Sequence, residues 1–487
     1  MARCCCNSRM LCLCLLPCMM MSHLLIYILV SIFVTISYNS GNAPPPLPLH
    51  FVAPGASKNS ASVASHPLGP FWNLRLQDGA LWNRLQHELD RRHNPILRGG
   101  NRTLGRGPSV GVGVGVGVGV GGEMTSLHAP SSALCGLQPQ RALMLPDFTG
   151  LPQQMRDFVL SMDCRSYRLL VDQPDLCGPH GAHGGSKTGT GGGQEGSIEE
   201  PMLLMAIKSQ VGNFESRQAI RETWGKSGWV SVESGGGGGG GGGRGGLVRT
   251  VFLLGRQDSS TGPHPNLDAL LELESHHHGD ILQWDFRDTF FNLTLKDVLF
   301  WEWFGLRCPS ARFVFKGDDD VFVRTGLLLD YLHNQQPRMM PASLNANNAG
   351  HSDNQAVWDF LVGDVISHAW PNRQPDTKYF IPESFYAGVY PAYAGGGGVV
   401  YSGWLARQFW DVSRRVHLFP IDDVYLGMCL RRLGLSPTHH PGFMTFDLPE
   451  GERDKPCAYR NVILVHKRSP QQMLTLWKQL REQLPSC

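Results

Sequence analysis

Three consecutive carboxylates, Asp318, Asp319 and Asp320, stand inside the run Phe313-Val-Phe-Lys-Gly-Asp-Asp-Asp-Val-Phe-Val323. Apolar residues on both sides read as strand, and a continuously apolar strand belongs to a sheet covered on both faces. Three negative charges on neighbouring residues repel one another, and a cleft tolerates them mainly when a cation sits among them. A hard divalent ion meets that need. On an extended segment Asp318 and Asp320, two residues apart, face one ion together, whereas Asp319 points elsewhere. An acidic turn between strand and helix is the bland alternative, and the apolar flanks disfavour it.

Other positions carry candidate chemistry of their own. Lys208 sits near the end of an apolar run over 202–209, and Arg217 and Arg221 share one face of a helix over 214–225. Asp422 and Asp423 open a segment running to Leu433, where either one caps a helix or one serves as a base. His466 ends a short buried strand over 462–466, where a lone histidine is more often structural than a metal ligand. Between Tyr390 and Gly403 an aromatic stretch gives way to four glycines and a Val-Val pair. Such a glycine run points to close approach of backbone to a ligand, with an ordinary loop as the equal alternative.

Positioning these groups requires alternating strands and helices. Strands are expected over 202–209, 248–254, 281–286 and 313–323, with helices over 214–225, 266–274 and 293–306. In the last of these, Leu295, Val298, Leu299, Trp303 and Leu306 recur at helical spacing. The pattern predicts an α/β fold with a mostly parallel sheet, in which ligands bind beyond the carboxyl ends of the strands. Lys208 and Asp318–Asp320 lie there. Glycine-rich insertions near 178–198 and 234–246 lack the Lys-Ser/Thr of a phosphate loop and read as surface excursions. His276–His278 read as a solvated loop.

The remainder of the 487 residues bounds compartment and partners. A formal net charge of +2 gives no reason to expect nucleic acid. Arg3 and Arg9 precede Leu11–Ile36, which contains no Asp, Glu, Lys or Arg. That pattern predicts a cytosolic tail over 1–9, a membrane anchor over 10–36 and a lumenal remainder. A flexible stem follows over 37–130, with one helical patch near Leu81–Leu89, and a catalytic domain over 131–487. Among the 13 cysteines, those near the cytosolic face are candidates for palmitoylation, and most of the seven beyond the anchor should pair in an oxidising lumen. One is then left over or bridges to a second copy, so a homo-oligomer stays open. Asn101 and Asn292 head glycosylation sequons.

Together, a divalent ion, nearby basic residues and a separate carboxylate suit transfer of a sugar from a nucleotide to an alcohol. The runs Arg217-Gln-Ala-Ile-Arg-Glu-Thr-Trp-Gly225, Phe252-Leu-Leu-Gly255, Lys316-Gly-Asp-Asp-Asp-Val321, Tyr393-Ala-Gly-Gly-Gly-Gly398 and Ile421-Asp-Asp-Val424 resemble the β-1,3-glycosyltransferase family of galactosyl- and N-acetylglucosaminyltransferases. Trp82-Asn-Arg, Asn94-Pro-Ile-Leu97 and Asp288-Thr-Phe-Phe-Asn-Leu-Thr294 resemble its N-acetylglucosaminyltransferase branch. The likeness covers about 80–97 and 135–487, apart from the glycine-rich insertions.

That resemblance implies a GT-A type fold, a UDP-sugar donor, Mn2+, inversion at the anomeric carbon and a Golgi membrane protein of single-pass type II. The acceptor is then the 3-hydroxyl of a terminal galactose on a glycoprotein or glycolipid glycan, and the donor UDP-GlcNAc. The resemblance also implies roles. Asp318, Asp320 and His466 are the metal ligands and Asp423 the base. Lys208, Arg217, Asp318 and Asp319 contact the donor, and Tyr386, Tyr393, Gly396 and Gly397 belong to a loop bordering donor and acceptor. A galactosyltransferase using UDP-Gal and a non-catalytic lumenal glycan-binding protein are the alternatives.

Overall fold

The computed structural model describes residues 79–93, 136–178, 200–232, 245–257, 267–335 and 360–483. The expected anchor, most of the stem, Asn101, Cys135, Cys487 and the interiors of both glycine-rich insertions lie outside them. Among the described residues no helix is long and apolar enough to cross a membrane.

The strands are β1 (Leu169–Val171), β2 (Leu203–Lys208), β3 (Gly228–Ser231), β4 (Gly245–Arg256), β5 (Ile281–Arg287), β6 (Phe313–Asp318), β7 (Val321–Val323), β8 (Leu361–Ile366), β9 (Tyr393–Ser402), β10 (Thr438–His439), β11 (Phe443–Met444) and β12 (Leu464–His466). The helices are α1 (Leu81–His93), α2 (Gln153–Ser161), α3 (Phe214–Glu222), α4 (Leu267–His278), α5 (Leu293–Arg307), α6 (Thr325–Gln335), α7 (Gly403–Ser413), α8 (Asp422–Arg432) and α9 (Pro470–Gln483).

A nine-stranded sheet runs in the order β1-β5-β4-β2-β6-β9-β8-β10, with β3 paired to β4. The block β5-β4-β2-β6 is parallel throughout. This is the expected central parallel sheet, because each of its strands returns through a helix or loop crossover. Every residue of β2 is buried, which explains why its sequence shows no alternation. Beyond β6 the sheet turns mixed, since β9 joins antiparallel to both β6 and β8. One apolar cluster includes Phe300, Trp301, Tyr401 and Tyr425, and a second includes Trp224, Phe252, Phe313 and Phe315. A separate three-stranded sheet, β11-β12-β7, takes its β7 from the chain directly after β6.

Several expectations change on contact with the packing. Helix α5 is buried around most of its circumference rather than along one stripe, while Leu306 is 64% exposed. Its buried Lys296 and Asp297 are tolerated because each has an ion partner, Asp288 at 2.9 Å and Lys316 at 2.8 Å. His276–His278 form the last turn of α4 instead of a loop. Asp422 and Asp423 occupy the first turn of α8, and Ile421 holds the cap position, so neither carboxylate is the cap. The patch in the stem is a 13-residue helix with Leu81, Trp82, Asn83, Gln86 and Asp90 buried, an integral part of the fold.

Cys177 and Cys308 form a disulfide across 131 residues, and Cys164 and Cys457 each take part in a further disulfide. Cys429 is free and buried in α8, which removes it as a bridge to a second copy. Asn292 is half-buried, and its amide donates to Arg287 O at 2.8 Å.

Candidate active site

Strand register builds the site. Lys208 ends β2 directly opposite Asp318 at the end of β6. Their Nζ and Oδ1 atoms lie 3.0 Å apart. In the second sheet His466 of β12 is paired with Val321 of β7, the residue after Asp320. His466 Nε2 therefore lies 3.4 Å from Asp320 Oδ1. The chain then turns back through Lys467 at φ 61°, and Arg468 N donates to Asp320 O at 2.6 Å. A left-handed lysine costs of order 1 kcal/mol, and this backbone bond helps hold it.

Asp318, Asp320 and His466 each offer a ligand atom, all within 4.8 Å of one another. Two carboxylate oxygens and an imidazole nitrogen form a donor set that suits a divalent first-row ion such as Mn2+. Lys208 holds Asp318 through Oδ1, at the edge of this group. Asp319 points away from this group, as the alternation requires. Its carboxylate accepts from Ser209 Oγ at 2.6 Å and Asn213 Nδ2 at 2.9 Å. It therefore ties β6 to the loop after β2.

A second cluster lies behind the first. Lys208 also meets Asp422, while Lys316 bonds Asp297 at 2.8 Å and reaches Asp422 at 3.3 Å and Asp423 Oδ1 at 3.7 Å. The paired aspartates of α8 are thus unequal. Burial alone would raise the Asp422 carboxyl, yet Lys208 and then Lys316 hold it far below the usual carboxylate range. Burial first, and then the charge of Asp422, push Asp423 up to about 7. Asp422 is spent on internal charge balance. The Asp423 side chain is 26% exposed against 7% for Asp422, so Asp423 is the one that reaches the cleft. Asp297 is raised to about 6, mainly by burial. Neither Lys316 nor Asp297 was singled out from sequence. A lysine four residues before the third aspartate, flanked by apolar residues and bound to be buried, was the available signal.

The glycines of β9 make room for these groups. A Cβ on Gly397, whose φ is +80°, would lie 2.7 Å from Val321 Cγ1 and 3.0 Å from the His466 ring. One on Gly398 would lie 2.3 Å from Leu464 Cδ1. The close approach expected of this run is therefore to the histidine strand. Gly396 lies within β9 among them. Tyr393 opens the strand and is raised to about 12 by burial and then by the charge of Asp423, which it neighbours.

Three of the residues expected at the donor or in its bordering loop are held by partners within the fold. Lys208 is 5% exposed and lies between two carboxylates, so it links the two clusters. Arg217 is fully buried, with its guanidinium bonded to Ser209 Oγ, Val211 O and both oxygens of Glu274; it shapes the loop after β2. Tyr386 is fully buried too, with its hydroxyl donating to Val389 O at 3.0 Å. A cavity of about 450 Å³ is lined among others by Gln210, Gly212, Asn213, Gln257 and Asp288. It shares Asn213 with the Asp319 contact.

With this geometry in view, similarity to known proteins is informative. The galactosyltransferase family matches residues 215–441. N-acetyllactosaminide beta-1,3-N-acetylglucosaminyltransferase 2 of Mus musculus is 40% identical over 97% of this chain and 98% of its own. The Homo sapiens protein of the same name is 39% identical over 88% and 91%. UDP-GlcNAc:betaGal beta-1,3-N-acetylglucosaminyltransferase 7 of Rattus norvegicus is 39% identical over 68% and 72%.

Proposed function

The chain belongs to the galactosyltransferase family of β-1,3-glycosyltransferases, and from that premise we propose that it transfers N-acetylglucosamine from UDP-GlcNAc to the 3-hydroxyl of a terminal galactose, extending N-acetyllactosamine-type glycans. A transferase of this family needs a sugar donor and a glycan acceptor. The observation that carries the reading is Lys208, which bridges Asp318 of the ligand triad to Asp422, the neighbour of Asp423. One cleft thus offers a candidate cation site and a candidate base.

Asp423 accepts the proton of the acceptor 3-hydroxyl as that oxygen attacks the anomeric carbon. The new C–O bond forms on the face opposite the breaking bond to the diphosphate, whose oxygen keeps the electron pair, so configuration inverts. A carboxyl near 7 is suited to this exchange, since a base works best with its pKa near the working pH. Lys316 and Lys208 keep Asp422 ionised beside it; burial and that neighbouring charge raise Asp423, while the two lysines themselves pull it back down. Asp318, Asp320 and His466 would hold Mn2+, which when bound would neutralise charge growing on the departing diphosphate. The cavity at Gln210 and Asn213 has the volume for a nucleoside, and its Asn213 bonds Asp319, the residue between Asp318 and Asp320.

We assign the protein to the Golgi membrane, with 10–36 as its anchor and the catalytic part lumenal. Arg3 and Arg9 before an uncharged run support this, as do disulfides, which persist in oxidising compartments.

Incubating the purified protein with UDP-GlcNAc or UDP-Gal and lactose-type acceptors tests the donor. A β-1,3-linked N-acetylglucosamine product is expected. Galactose transfer without N-acetylglucosamine transfer would overturn the choice, because donor preference rests on pocket contacts the family shares only in outline.

A further inference from the structure

We propose that α1 is a positioning clamp that holds the segment 384–393 and the base-bearing helix α8 against each other, an assignment that rests on the reading of Asp423 given above. Helix α1 lies outside the family match over 215–441, yet it is bonded both to the segment 384–393 and to the stretch 415–418 that leads into α8. Leu81 N and Trp82 N donate to Ser384 O and Phe385 O, both at 2.8 Å, and Asn83 Nδ2 donates to Ala387 O at 2.8 Å. On the other side Trp82 Nε1 donates to Leu418 O at 3.2 Å. Gln86 donates to Arg415 O and accepts from His417 N, each at 2.9 Å. At its far end the Asp90 carboxylate meets the guanidinium of Arg432 in the last turn of α8, and both are buried.

A helix docked for stability alone needs only an apolar face. This one buries Asn83, Gln86 and Asp90 as well, at 2%, 0% and 0% exposure. Buried polar groups bonded to loop carbonyls fix position directionally, which apolar contact does not. From Trp82 a line of rings leads inward, with centroid separations of 5.5 Å to Tyr386, 5.5 Å from Tyr386 to Tyr390, and 6.4 Å from Tyr390 to Tyr393. Tyr393 in turn abuts α8 without slack. A Cβ on Gly427 would lie 2.7 Å from that of Tyr393. A shift of α1 is therefore transmitted to the two groups beside the attacking hydroxyl, Tyr393 and Asp423.

Full-chain Trp82→Ala, Trp82→Phe and Arg91→Ala test the clamp, with acceptor KM, donor KM and amide exchange of 384–393 as readouts. Trp82→Ala is expected to raise acceptor KM about fivefold while donor KM stays within about twofold, and to speed exchange over 384–393. Trp82→Phe should recover most of the loss, because its ring still meets Tyr386, and Arg91→Ala, on the exposed face, should match the parent. If Trp82→Ala fails to fold, Gln86→Ala is held to the same readouts. Unchanged acceptor KM and exchange in the folded variant would overturn the clamp, as would donor KM rising in step with acceptor KM. A parent protein with no transfer at all would instead overturn the functional reading, and exchange over 384–393 would still decide the clamp.

Discussion

Asp423→Asn is expected to reduce kcat for transfer by about a thousandfold while UDP affinity changes less than about threefold, since general bases typically contribute 10²–10⁴-fold. The amide keeps the shape of the side chain but accepts no proton. Little else should change. Lys316 retains Asp297 at 2.8 Å and Asp422 at 3.3 Å, so its buried charge stays compensated and the fold is spared. Loss of a negative group near the diphosphate does not weaken an anion's binding. Initial rates with saturating donor and acceptor, together with calorimetric titration of UDP, check both halves. Full activity would remove Asp423 from the mechanism.

Asp320→Ala should weaken Mn2+-dependent UDP binding by roughly a hundredfold or more, because loss of even an indirect support to a metal site commonly costs 10–100-fold. Asp320 is the most exposed of the three candidate ligands, with 51% of its side chain accessible, so its removal opens no core cavity. His466 loses its carboxylate partner, whereas Asp318 stays fixed by Lys208. Thermal stability should therefore move little while binding falls. Titrating UDP with and without Mn2+, in parent and variant, separates these effects. Equal metal-dependent affinity in the two would remove Asp320 from the ligand set.

Much of this was legible because period and spacing carry it. The apolar runs ending in Lys208 and Asp318 announce buried parallel strands, and their register puts those two residues side by side. The two-residue spacing of Asp318 and Asp320 separates them from Asp319, which indeed turns to Ser209 and Asn213. Residues matched by resemblance fared less evenly. Arg217 is expected at the donor and Tyr386 in its bordering loop, but a motif position does not disclose whether a side chain is saturated from within. Only the folded chain brings Glu274 to Arg217 and Val389 O to the Tyr386 hydroxyl. Helix α5 misled for a related reason, since Lys296 and Asp297 mark a solvent face by type and are buried through partners distant in sequence. The stem helix was visible as a pattern. Its docking was not, because its partners lie more than 300 residues away.

The pH dependence of kcat/KM for the acceptor, measured with saturating donor, tests the role of Asp423 most directly. Its carboxyl is raised to about 7 and must be ionised to accept a proton, so the rate should climb tenfold per pH unit below that value and level off above it. A profile already flat from pH 5 to 8, with chemistry limiting, would contradict the account.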